Sequence, residues 1–167
     1  MLPDGALAAL PELVRRPLAA FAAEYLADGV PFGGRDEELA ALDAWLDDPR
    51  RPCALVVASA GRGKSALLAR WTRRAAARVP AVFAPVSIRF GTALRAPAMM
   101  MLAAQLRRIA GSPGEAPRDP DAARAEIETL LAAPGEAPRL VVLDGLDEAV
   151  GWSVPATCNC PPSPPPA

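Results

Sequence analysis

The stretch ASAGRGKSALL, residues 58–68, collects the residue types that hold phosphate. Small residues at Ala60, Gly61 and Gly63 let successive backbone N–H groups curl around an anion. Lys64 adds a mobile point charge that can reach terminal phosphate oxygens, a place where a forked guanidinium fits poorly. Ser65 offers a hydroxyl to a divalent cation beside those phosphates. Arg62 belongs to the same loop, its side chain read as solvated. Lys64 is the only lysine among 18 Lys and Arg residues, so the other 17 are arginine. GC-rich codon usage explains the arginines and makes the one lysine informative. The plain alternative is a glycine turn carrying a solvated lysine.

A second group lies in LVVLDGLDEA, residues 140–149. An apolar run ending in Asp144 would put a carboxylate at the tip of a buried strand, where it can hold Mg²⁺. Asp147 and Glu148 follow closely enough to orient an attacking water as general base. A solvated acidic turn is the plain reading of the same residues. Two such groups in this order reinforce each other.

Chemistry at these positions needs elements to place it. CALVVA (53–58) reads as a buried parallel strand, with Cys53 as a small buried hydrophobe. A helix over about 64–78 follows, with Leu67, Leu68 and Trp71 inward and Arg70, Arg73, Arg74 and Arg78 outward. Strand, glycine loop, Lys-Ser and helix together form the Walker A pattern, with Ala58 standing at the first glycine position. AVFAPVSIRF (81–90) reads as a second strand, with Pro85 marking a bulge or an edge. Residues 139–143 read as a third strand, which makes 140–149 a Walker B pattern. Helices are expected over 17–29, opened by Pro17, and over the acidic stretch after Gly34. Two more fall around Leu102, Leu106 and Ile109, and after an Asp119–Pro120 cap, where Ala123, Ile127, Leu130 and Leu131 would be buried. The alternation of helix and strand predicts an α/β fold.

PFGGRDEELAALDAWL, ASAGRGKSALLARW and LVVLDGLDEA together resemble the signal-transducing STAND class of P-loop ATPases, in its NACHT-like, AAA-related branch. The resemblance implies a three-layer α/β sandwich around a parallel sheet, ATP or ADP with Mg²⁺ as cofactors, and a nucleotide switch with slow hydrolysis. It assigns the phosphates to Ala60, Gly61, Arg62, Gly63, Lys64 and Ser65. Mg²⁺ falls to Ser65 and Asp144. Glu148 would be the catalytic base with Asp147 beside it, and Phe32 and Gly33 would lie near the adenine. Protein partners or self-association are expected of the whole switch protein.

Such a sheet has about five strands, and one strand following Walker B lies between the Walker A and Walker B strands. Only about three strands are legible here. Beyond Trp152 no apolar run supplies the central one, and CNCPPSPPPA has five prolines in ten residues. The expected organisation is a helical lead-in (1–30), an incomplete P-loop domain (31–154) and a disordered proline-rich tail (155–167). This is the pattern of a truncated or frame-shifted fragment, in which strands 53–58 and 139–143 lose their mediator. The fragment is expected to bind nucleotide without efficient turnover.

Composition closes other routes. With no histidine, Ser-His-Asp and Cys-His catalysis and His-based zinc sites are excluded. Three cysteines make neither a disulfide framework nor a four-cysteine zinc site, which suits a reducing cytoplasm. A net charge of −1 gives no surface bias toward nucleic acid, and no apolar run is long enough for a membrane span. Two alternatives stay open: a non-catalytic interaction module keeping a relic loop, and another P-loop enzyme such as a replication initiator or a nucleoside kinase.

Overall fold

A computed structural model describes residues 10–112, 115–133 and 138–152. Its elements are α1 (Glu12–Tyr25), α2 (Asp36–Leu46), α3 (Lys64–Ala75), β1 (Ala81–Pro85), α4 (Arg95–Ala110), α5 (Pro120–Ala132) and β2 (Leu140–Asp144), followed by a 3₁₀ turn, Leu146–Glu148. β1 and β2 pair in parallel, Ala81 opposite Leu140 and Pro85 opposite Asp144.

Alternation along both strands sorts their side chains to two faces. Ala81, Phe83, Leu140 and Val142 meet Phe21 of α1, Leu42 of α2, and Leu67, Leu68 and Trp71 of α3. Val82 and Val141 meet Leu102 and Leu106 of α4 and Ala123 and Ile127 of α5. Helices therefore cover both faces of a small parallel sheet, the layering of a P-loop fold. Ala84 and Leu143 complete a third cluster with Leu10, Val14, Leu18 and Met101.

Local chemistry sets the element ends. Asp119 caps α5, its carboxylate accepting from the N–H groups of Asp121 and Ala122 at 3.0 and 2.8 Å, with Pro120 at the first helical position. Gly111, at φ +64°, ends α4. Asp43 fastens α2 to α3 by accepting from the Trp71 indole at 2.8 Å and pairing with Arg74.

Five expectations are corrected. The described residues hold two strands, not three: 53–58 is extended without strand pairing, and Leu55 and Val57 are 81% and 78% exposed. Cys53 is exposed rather than buried. The reason is pairing: an apolar run becomes a strand only beside another strand, and none lies between 53–58 and β2. The run at 81–90 stops at Pro85, since β1 has nothing to pair with beyond Asp144. α1 begins at Glu12 and carries Pro17 inside it, because the buried face Val14, Leu18 and Phe21 extends through the proline. Leu131 follows Ala123 and Ile127 at i+4 spacing but falls in the last turn of α5, and it is 48% exposed. The expected proline-rich tail, with Cys158 and Cys160, lies outside the described residues.

Candidate nucleotide site

Gly61 and Gly63 adopt φ of +74° and +77°, a left-handed conformation that side-chain-bearing residues rarely take. This geometry turns neighbouring N–H groups toward one side, as anion-binding nests do. Gly63 is the N-cap of α3, and no side chain caps that helix start, so its first N–H groups and its dipole face outward from the loop. A helix N-terminus, a nest and a lysine thus converge on one short loop.

Lys64 spans that loop. Its ammonium donates to the carbonyls of Ala58 at 2.7 Å and Ser59 at 3.2 Å. An ammonium has three N–H donors, and two of them are engaged there. The loop is braced from outside as well. Arg35 donates to the Arg62 carbonyl at 2.7 Å and pairs with Glu38 at 2.6 Å. The Arg62 side chain itself is exposed.

Asp144, the last residue of β2, is only 5% exposed. Burial raises its carboxyl above the usual range, and the Asp147 and Glu148 charges push the same way. The Ser65 hydroxyl and the Lys64 charge oppose that shift. The two motifs, distant in sequence, are brought close together where α3, opened by Lys64 and Ser65, packs against β2.

Oxygen donors of this kind, a hydroxyl and a carboxylate side by side, suit Mg²⁺, which keeps waters and phosphate oxygens as its remaining ligands. Among the described residues no cluster of three or more His, Cys, Asp or Glu could hold a metal ion alone. The donor set therefore fits a cation carried with a phosphate ligand rather than a protein-only metal centre.

The two candidate bases differ in surroundings. Both sit on the exposed 3₁₀ turn after Gly145. Glu148 accepts from the Ser87 hydroxyl at 3.0 Å and the Ile88 N–H at 2.8 Å. Ser87 is buried, and its N–H in turn donates to the Thr92 hydroxyl at 3.1 Å. Ser87 and Thr92 were not singled out from the sequence, where 81–90 reads as a strand with a bulge or an edge at Pro85. The polar pair just past Pro85 was the available signal. Phe32 is half-buried and Gly33 exposed, in the segment between α1 and α2.

Residues 31–158 match the AAA ATPase domain family. The chain belongs to that family. No curated protein and no solved structure matches it. As an AAA ATPase domain it is an ATP-binding, P-loop NTPase-like module of a family that generally uses ATP with Mg²⁺. No helix among the described residues is long and apolar enough to cross a membrane.

Proposed function

We propose that this AAA ATPase domain is the ATP/ADP-binding module of a STAND- or NACHT-like signalling switch that hydrolyses ATP slowly. The observation that carries the reading is the buried Asp144 at the end of β2, on the strand against which the helix opened by Lys64 and Ser65 packs. In this reading the N–H groups of residues 60–65 and the Lys64 ammonium bind phosphates. Ser65 and Asp144 hold Mg²⁺, which would supply charge neutralisation on the phosphate oxygens. Phe32 and Gly33 face the base. Glu148 orients the attacking water with Asp147 beside it, once its carboxylate leaves Ser87 and Ile88. Switch partners would be other proteins or further copies of the chain, and an exposed free thiol at Cys53 suits a reducing cytoplasm.

A second reading rests on the engaged state of Glu148: a domain that binds a partner without turnover, its glutamate held by Ser87. Titration calorimetry with Mg·ATP separates the possibilities. Lys64→Ala removes a charge-assisted donor worth about 1.5–3 kcal/mol and should weaken binding about ten- to hundredfold. Glu148→Gln should keep affinity and lose whatever phosphate release the parent chain shows. Affinity unchanged by Lys64→Ala would overturn the nucleotide reading. Tight binding with no phosphate release in either chain would favour the second.

A further inference from the structure

The segment joining α1 to α2 is fastened at two points. At one end Arg35 donates to the Arg62 carbonyl of the glycine loop at 2.7 Å. At the other Arg70 donates to the Val30 carbonyl at 2.8 Å, and its guanidinium carbon lies 4.9 Å from the centre of the Phe32 ring. Pro31, Phe32 and Gly33 run between these fastenings, beside the loop. Arg70 stands six positions along the helix that Lys64 opens, about 9 Å further on. One rigid element thus carries both the phosphate-reaching lysine and the arginine that grips the neighbouring segment.

Arg70 is held at a cost. It is half-buried, and its Nε is buried without a hydrogen-bond partner. The carbonyl bond and the cation–π contact offset that cost. An apolar side chain would fill the same space without leaving a buried donor unpaired. What the guanidinium adds is direction: it fixes the Val30 carbonyl and the Phe32 ring relative to the helix. Gly33, exposed, has nothing within 4 Å of where a Cβ would sit, so the backbone between the fastenings is open to a ligand.

We infer that Arg70 is a positioning residue for the nucleoside half of a bound nucleotide. It holds Phe32 and Gly33 against the base while residues 60–65 take the phosphates. This inference rests on the nucleotide reading above and adds to it a residue outside both motifs. It separates base recognition from phosphate binding, and so can be tested apart from that reading.

The experiment is titration calorimetry of the full chain with Mg·ATP and with Mg·tripolyphosphate, which has no base, accompanied by thermal melts. Arg70→Ala should weaken ATP about tenfold, because a segment no longer held in place must be ordered on binding, and leave tripolyphosphate unchanged. Arg70→Lys keeps a donor and a cation, and should recover part of the ATP affinity. Should Arg70→Ala fail to fold, Arg70→Lys serves alone, with ATP weakened about two- to fivefold and tripolyphosphate unaffected. Equal weakening of both ligands would assign Arg70 to the general fold and overturn the inference, as would unchanged ATP affinity. A parent chain that binds neither ligand would sink the nucleotide reading itself. A parent in which Lys64→Ala abolishes both, while Arg70→Ala alters neither, would leave that reading standing and remove only Arg70.

Discussion

Asp144 shows how a site residue can oppose the stability of the fold that holds it. Burial raises its carboxyl above the reference value of 3.8, so the folded chain holds the proton more tightly than the unfolded chain. Below 3.8 both states are protonated and nothing is gained or lost. As pH rises through the window above 3.8 the unfolded carboxyl ionises first, and stability falls until the folded carboxyl has ionised too. Asp144→Asn keeps an acceptor for Ser65 without the buried charge. Its urea midpoint should exceed the parent's at about pH 7, and the gain should vanish as pH falls toward 3.8. A variant less stable at neutral pH would show that the ionised carboxylate contributes net stability instead. The next residue makes a steric case. Gly145 has φ +79°, and a Cβ there would lie 2.2 Å from the Val86 carbonyl oxygen. Backbone cannot move aside as a side-chain tip can, so Gly145→Ala should cost about 3–4 kcal/mol in urea unfolding. At this scale Lys64 and Asp144 stood out as candidates because their chemistry is local to a motif. Ser87 did not, because its contact with Glu148 exists only when the chain returns to β1 from residue 148.

Elements depend on neighbours more than on their own pattern. The helices came through because an apolar stripe every three or four residues is a property of the helix itself. CALVVA has as strong an apolar run as LVVLD, yet only the latter is a strand, because only it has a partner. The two edges of the sheet are also unlike. Gln105 of α4, buried, donates to the Phe83 carbonyl at 2.8 Å and accepts from the Phe83 N–H at 3.2 Å, so β1 is blunted on its outer side. No strand covers the far side of β2 among the described residues, and that is the side on which a mediator for 53–58 was expected. The resulting difference is measurable. Leu55→Ala and Val57→Ala remove side chains that are mostly in water and should change stability by less than about 0.5 kcal/mol. Val142→Ala, inside the sheet core, should cost about 1–2 kcal/mol by the transfer and cavity terms. Comparable losses at Leu55 or Val57 would mean that 53–58 packs as a strand after all.

For the molecule as a whole, the loop at 58–65 hangs between an unpaired segment on one side and the well-packed α3 on the other. The α/β layering around a small parallel sheet was readable in advance because helical and apolar runs alternate along the chain. The sheet's width was not, because strand number is a property of the pairing and not of any one run. A ligand that binds the folded loop and not the unfolded chain stabilises the whole fold by mass action. At a hundredfold excess over its dissociation constant, Mg·ATP should add about 2.7 kcal/mol. In a chain of this size that corresponds to a rise in Tm of roughly 5–10 °C. Mg²⁺ without nucleotide should give a smaller rise, since Ser65 and Asp144 supply only part of its ligand set. Lys64→Ala at the same ATP concentration should show a clearly smaller rise, because ten- to hundredfold weaker binding cuts the stabilisation to about 0.4–1.4 kcal/mol. A rise of equal size in parent and variant would place ATP somewhere other than this loop. A rise with ATP that persists when Mg²⁺ is chelated would separate the phosphate cradle from the Ser65–Asp144 pair.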